Sequence, residues 1–249
     1  MSINLKLEKV YENLHTEFIA KNIVCFKRLD STNRYAFSLI GNKNIISEHF
    51  NPCKVKHDGT LIIAEKQYKG KGRKEKLWHS PAGGLWFTLI LSPFESAYSS
   101  DLKSNYNLLT KITLIAAYAI HKALCCGNYN KDIKNKIAVS LSSGLYIKWP
   151  NDIYYKDRKL AGILAETEII DDKFYLVTGI GINANFKTDK KLPRSLKAVS
   201  LLDIFGKKIS RETLLAEILN LFEDKYLYFL KSRDFKSIFS EMENKIKYI

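Results

Sequence analysis

The chain is poor in the residues that mark secreted, membrane or disordered proteins. It has four cysteines, five prolines, 12 glycines and two methionines in 249 residues. The cysteines, Cys25, Cys53, Cys125 and Cys126, have no metal-ligand spacing, and the adjacent pair cannot easily bridge, so no disulfide framework is expected. No uninterrupted apolar run reaches the roughly 18–20 residues of a membrane helix. The first residues, Met1-Ser2-Ile3-Asn4-Leu5-Lys6, lack the apolar stretch and cleavage site of a secretory signal. No repeat or Gly/Pro/Ser-rich linker divides the chain. A cytoplasmic protein without membrane contact is expected.

What is present is a core and a surplus of positive charge. Hydrophobic residues make up 46% and aromatics 12%, too many for disorder. Lys and Arg number 40 against 26 Asp and Glu, a net charge of +14. Such charge raises the question of nucleic acid, which binds clustered cations through counterion release. Here lysines occur along the whole chain, with one dense stretch around residues 66–76, and no zinc-finger or RNA-binding signature accompanies them. The first reading of the charge is a general solvated lysine surface, an anionic ligand or acidic partner comes next, and specific DNA binding is not expected.

Apolar spacing predicts an amphipathic helix over residues 5–20, a strand over 22–28, and a helix from Asp30 or Ser31 to Leu39. Residues 41–59 read as a loop. Strands are expected at 60–65, 84–92 and 145–148, and a hairpin at 159–183 turning at Asp171-Asp172. Helices are expected at 105–125, 210–230 and 234–247, with a polar insertion at 127–143. The pattern is α+β, a mixed sheet flanked by helices.

Three segments carry chemistry. In Gln67-Tyr68-Lys69-Gly70-Lys71-Gly72-Arg73-Lys74-Glu75-Lys76-Leu77-Trp78, glycines let backbone N–H groups approach a ligand while cations offset phosphate or carboxylate. The alternative is a Lys-rich surface turn, and the spacing is not that of a P-loop. Lys148-Trp149-Pro150-Asn151-Asp152 sets a cation, an amide and a carboxylate in fixed geometry past a strand, unless it is an ordinary turn. Lys159-Leu160-Ala161-Gly162-Ile163-Leu164, with Gly179-Ile180-Gly181-Ile182-Asn183, places glycines inside strands, where a ligand can lie against the backbone or where a bulge forms.

Taken in order, and with Asp30-Ser31-Thr32-Asn33 before them, these segments resemble the catalytic domain of biotin protein ligases, from about residue 22 to residue 230. The resemblance implies the biotin/lipoate protein ligase fold, similar to class II aminoacyl-tRNA synthetases. It implies activation of biotin with ATP and Mg2+ to biotinyl-5′-AMP. Transfer then goes to a lysine of a biotin carboxyl carrier protein, of acetyl-CoA carboxylase or a related carboxylase. By motif position, Ser31, Thr32, Asn33, Gln67, Gly70, Lys71, Gly72, Arg73 and Lys159 would hold biotin. Lys76, Trp78, Lys148, Asn151, Asp152 and Asn183 would hold ATP or the adenylate. Arg73, Lys159 and Asp152 would be catalytic, Asp152 orienting the acceptor lysine. A homodimer is compatible with the family, and no metal ligand is assigned.

Three departures stand out. The family loop usually reads Gly-Arg-Gly-Arg-x-Gly-Arg, whereas Lys71 and Lys76 replace arginines here and Glu75 replaces a glycine. Residues 1–21 form a helical extension too short for the winged helix of repressor-type members. Residues 22–233 are expected to make the catalytic domain and 234–249 a last helix, the sequence ending about where a small β-barrel domain usually follows, either by nature or by truncation. The rival readings are a lipoate ligase or octanoyltransferase, which as a rule lack Lys-Trp-Pro-Asn-Asp, a biotin-binding remnant without catalysis, and a nucleic-acid-binding module.

Overall fold

In a computed structural model the described residues are 4–41, 58–94, 105–126, 129, 141, 143–193 and 195–248. One mixed eight-stranded sheet organises them, in the order β1-β2-β3-β7-β6-β5-β4-β8. The strands are β1 (Ile23–Phe26), β2 (Leu61–Ala64), β3 (Leu85–Leu91), β4 (Leu145–Lys148), β5 (Asp152–Tyr155), β6 (Arg158–Ile170), β7 (Lys173–Ile182) and β8 (Ile246–Lys247). β1 runs parallel to β2 and β8 to β4, and the other neighbours are antiparallel. The α+β architecture read from the sequence is the one observed.

Side-chain alternation divides the sheet into two faces. Leu85, Phe87, Leu89 and Leu91 of β3, with Leu176, Ile180 and Ile182 of β7, turn into the main core. Two helices cover that face, α3 (Asn105–Cys126) and the long helix Arg211–Ser232. Residues 107–126 are apolar and long enough to span a bilayer, yet 72% of the most apolar window is buried inside the protein, so α3 is a core helix. Ile62, Ile90, Tyr175 and Val177 turn the other way, under α2 (Thr32–Gly41). β3 is therefore buried on both faces, which explains its unbroken apolar run.

Both ends of the chain depart from the predicted helices. Only Leu7–Tyr11 (α1) is helical near the N-terminus. Beyond it, side chains of the long helix take the backbone donors that a longer helix would use. Glu212 accepts from the Lys6 N–H, Asn220 from His15, and Glu223 from Glu17, Phe18 and Ile19. Leu7, Leu14 and Phe18 still pack on the core as their spacing implied. At the other end the helix stops at Met242, and Ile246–Lys247 pairs with β4, where the Trp149 N–H donates to the Lys247 carbonyl at 3.0 Å. The strand Asp152–Tyr155 also went unpredicted. The loop at 41–59 and the insertion at 127–143 lie largely outside the described residues.

Candidate active site

The ligand-sized space lies on the α2 side of the sheet, where β6 and β7 carry glycine instead of side chains. A Cβ on Gly179 would sit 2.1 Å from Asn33 Oδ1, and one on Gly181 would sit 2.4 Å from Trp78 Nε1. Gly162 opposes Gly181 across the two strands and meets Trp78 in the same way. These strands thus form a bare floor on which the Trp78 indole lies. Above it is a cavity of about 610 Å3, within the range of small-molecule sites.

One wall is the start of α2. Ser31, Thr32 and Asn33 are each no more than 4% exposed and line the cavity. Gln67 Oε1 accepts from the Thr32 N–H at 2.8 Å, and its amide donates to Ser80 Oγ. Thr88 Oγ lies 2.7 Å from both Thr32 Oγ1 and Asn33 Oδ1. Asn33 Nδ2 donates to Glu166 Oε2 at 2.9 Å. Thr32, Asn33, Gln67, Ser80, Thr88 and Glu166 thus hold one another in a single network, which fixes their rotamers facing the cavity.

The second wall is the basic loop, folded as a narrow hairpin. The Trp78 N–H donates to the Gly70 carbonyl and the Gly72 N–H to that of Lys76. The tip is a single turn, Arg73–Glu75, in which Lys74 and Glu75 have φ of 55° and 56°. The left-handed region favours glycine, so a glycine at position 75, the family habit, would suit this backbone. The Glu75 side chain is 84% exposed, with its carboxylate 3.8 Å from the Lys71 ammonium at the cavity's edge. Lys71 crosses to Glu166 at 2.7 Å; that carboxylate holds the ammonium above the ordinary lysine range.

The far wall holds the reactive constellation. Lys159 Nζ lies 2.7 Å from Asp152 Oδ2 and 4.9 Å from the Trp78 ring centroid. Arg73 donates to Asn151 Oδ1 at 2.8 Å, and Asn151 Nδ2 donates to Asp152 Oδ1 and to the Ile163 carbonyl. Among the described lining residues, Lys71, Arg73, Lys74, Lys76, Lys159 and Lys197 face the single carboxylate of Asp152. Such a lining focuses positive potential and fits a ligand with several negative charges.

Most residues singled out in the sequence meet in this cavity; Lys148 and Gly70 do not line it. Lys148 turns away, its ammonium 5.2 Å from the Tyr154 ring, because it lies outward of Asp152 on β4. Gly70 sits at the loop base, its Cβ position closed by the Trp78 carbonyl at 2.3 Å. Asn183 lines the cavity, but its amide donates to the Lys159 and Val199 carbonyls, so it braces the Lys159 segment. Sequence reasoning missed Glu166 and Thr88. No group of three His, Cys, Asp or Glu among the described residues is placed to hold a metal ion.

A glycine-floored cavity between a basic loop and a mixed sheet makes this an α+β domain suited to a small anionic ligand. The sequence profile of the Biotin/lipoate A/B protein ligase family matches residues 25–183, and the chain belongs to that family. It is 31% identical over 217 residues to the bifunctional ligase/repressor BirA of Bacillus subtilis, covering 86% of this chain and 56% of that protein. Biotin protein ligase 2 of Arabidopsis thaliana is 26% identical over 225 residues, 87% of this chain and 61% of that one. The chain thus spans less than two thirds of the length of these relatives. Among solved structures, the biotin protein ligase of Aquifex aeolicus in complex with biotin and ATP superimposes with a TM-score of 0.63 at 28% identity. That match covers 92% of this chain and 80% of the other.

Proposed function

We propose that this chain activates biotin with ATP to biotinyl-5′-AMP and transfers the biotinyl group to a lysine of a biotin carboxyl carrier protein. The observation that carries this reading is the placement of Lys159 and Arg73, linked through Asp152 and Asn151, over the glycine floor. In the first step the carboxylate of biotin attacks the α-phosphorus of ATP and pyrophosphate leaves. Two anions must approach, so preorganised cations in a water-poor cavity lower the barrier. Lys159 bridges the carboxylate and the α-phosphate, and Arg73 takes the phosphoryl oxygens as a fork. Ser31, Thr32, Asn33 and Gln67 hold the polar end of biotin, and Trp78 offers a flat surface to adenine.

In the second step the acceptor lysine loses a proton from its ammonium, the freed amine attacks the biotinyl carbonyl carbon, and the amide forms as AMP leaves. In this reading Asp152 orients the acceptor amine, its carboxylate lying 2.7 Å from Lys159 Nζ. The described residues do not build a cation site, so Mg2+ would arrive on the nucleotide phosphates.

The test is ATP–pyrophosphate exchange with biotin, lipoate and octanoate in parallel. Exchange with biotin alone is expected. Exchange with lipoate or octanoate and not biotin would assign a different acid. No exchange, together with a biotin-dependent rise in melting temperature, would leave binding without activation.

A further inference from the structure

Beyond the cavity the same sheet face continues over β5, β4 and β8. Leu145, Ile147, Ile153 and Tyr155 turn into the core, so Tyr146, Lys148, Asp152 and Tyr154 share the opposite face. Of the described helices, α3 lies against β4 and β5 on the core side, and the turn Glu243–Lys245 that leads into β8 touches β4. The Tyr146 and Tyr154 rings stack across the two strands, 5.8 Å apart and 25° from parallel. Lys247 of β8 sets its ammonium 4.2 Å from the Tyr146 centroid, and Lys148 lies 5.2 Å from that of Tyr154. At the margin Trp149 and Tyr248 are 37% and 66% exposed, their rings 5.4 Å apart.

Neither Lys148 nor Lys247 has a carboxylate partner among the described residues. An ammonium resting on an aromatic ring is partly dehydrated but keeps donors for an anion. Tyrosine and tryptophan beside unpaired cations is also the composition of binding hot spots. The face leads directly to the reaction site, since Tyr154 and Asp152 both line the cavity. A nucleic acid would need open rings for its bases. On this face such rings are confined to the margin, at Trp149 and Tyr248, while the central Tyr146 ring is 8% exposed beneath Lys247 and beside Tyr154.

We propose that the face over β5, β4 and β8 is the docking surface for an acidic protein domain that presents the acceptor lysine to Lys159 and Asp152. This rests on the acyl-transfer reading above. Charge complementarity of this kind acts chiefly on encounter rate and its salt dependence.

The test uses the full chain with biotin, ATP, Mg2+ and an apo biotin carboxyl carrier domain. Lys247→Glu combined with Tyr248→Ala should leave biotin-dependent pyrophosphate exchange within about twofold of the parent while transfer kcat/KM falls about tenfold at low salt. The gap should close near ~0.5 M salt, where screening is strong. Lys247→Arg should transfer normally. Unchanged transfer, or a loss equal at all salt concentrations, overturns the docking surface and leaves adenylation standing. Single-stranded oligonucleotide binding that disappears in the double variant while transfer is untouched overturns it in favour of a nucleic-acid face. Absence of exchange in the parent chain overturns the acyl-transfer reading first, and this proposal with it.

Discussion

Lys159 stands near the start of β6, between the Asp152 carboxylate and the Trp78 ring, with its backbone tied to the Lys197 and Val199 segment. Truncating it removes the cation from the place where carboxylate and phosphate would meet and leaves Asp152 with only Asn151. Under the proposed reaction Lys159→Ala should lower biotin-dependent exchange by about 10²–10³-fold, the usual cost of removing one charge-stabilising donor. The site is partly exposed, so the melting temperature should stay within a few degrees. Near-normal exchange would move the central cation elsewhere, Arg73 being the next in reach. These residues were legible because they fall in dense runs, Lys148 to Asp152 and Lys159 to Leu164. Glu166 was not, because nothing beside it in the chain signals its role. The clue was the alternation Gly162, Leu164, Glu166, which carries a carboxylate onto the glycine-floored side. Lys148 misled for the converse reason, since it shares a sheet face with Asp152 but lies one strand farther from the cavity, with its ammonium beside Tyr154.

Among the elements, the long helix Arg211–Ser232 does more than cover the sheet. Glu223, 4% exposed, accepts the N–H groups of Glu17, Phe18 and Ile19 and so serves as the cap of a segment that is not a helix. Removing that carboxylate would leave three donors without it, the Ile19 N–H buried and those of Glu17 and Phe18 partly buried. Hydrogen bonds to a charged group are each worth about 1.5–3 kcal/mol, and unpaired buried groups cost as much again. Glu223→Ala should therefore destabilise the protein by roughly 3–4 kcal/mol in urea unfolding. Exchange activity at 25 °C should survive, because the cavity lies on the other face of the sheet. A loss below about 1 kcal/mol would mean that water replaces the carboxylate and that the N-terminal segment is only loosely held. Periodicity located this segment's buried positions but not its backbone, because Leu7, Leu14 and Phe18 pack inward whether or not the turns between them are helical. The end of the chain failed for a similar reason. Ile246 and Lys247 continue an apolar-polar pattern, and only the open edge of β4 decides that they extend. Asp152 to Tyr155 alternated visibly, half-buried and buried in turn, but read as part of the turn that precedes it.

For the molecule as a whole, the α+β layout was legible because β2, β3 and the β6–β7 hairpin have long apolar runs bounded by turns. The strand order was not, because it depends on pairings between distant segments such as β3 with β7. The same layering sets how the fold responds to acid. His121 of α3 is 4% exposed under β4, and burial lowers its pKa to about 4, with Lys245 and Lys122 acting in the same direction against a bond to the Leu145 backbone. In the unfolded chain the imidazole titrates near ~6.5. Between about pH 6.5 and 4 the unfolded state takes up a proton that the folded state refuses, so stability is intact above the upper value and declines as pH falls toward the lower one. Across the whole window the shift is worth about 3 kcal/mol. His121→Leu removes the titrating group and keeps the site filled. Urea unfolding at pH 7 and near pH 4.5 should then show the parent losing about 2–3 kcal/mol more than the variant over that interval, carboxylates common to both cancelling in the difference. Equal losses would mean that His121 is protonated inside the fold, with an anion or water admitted beside α3.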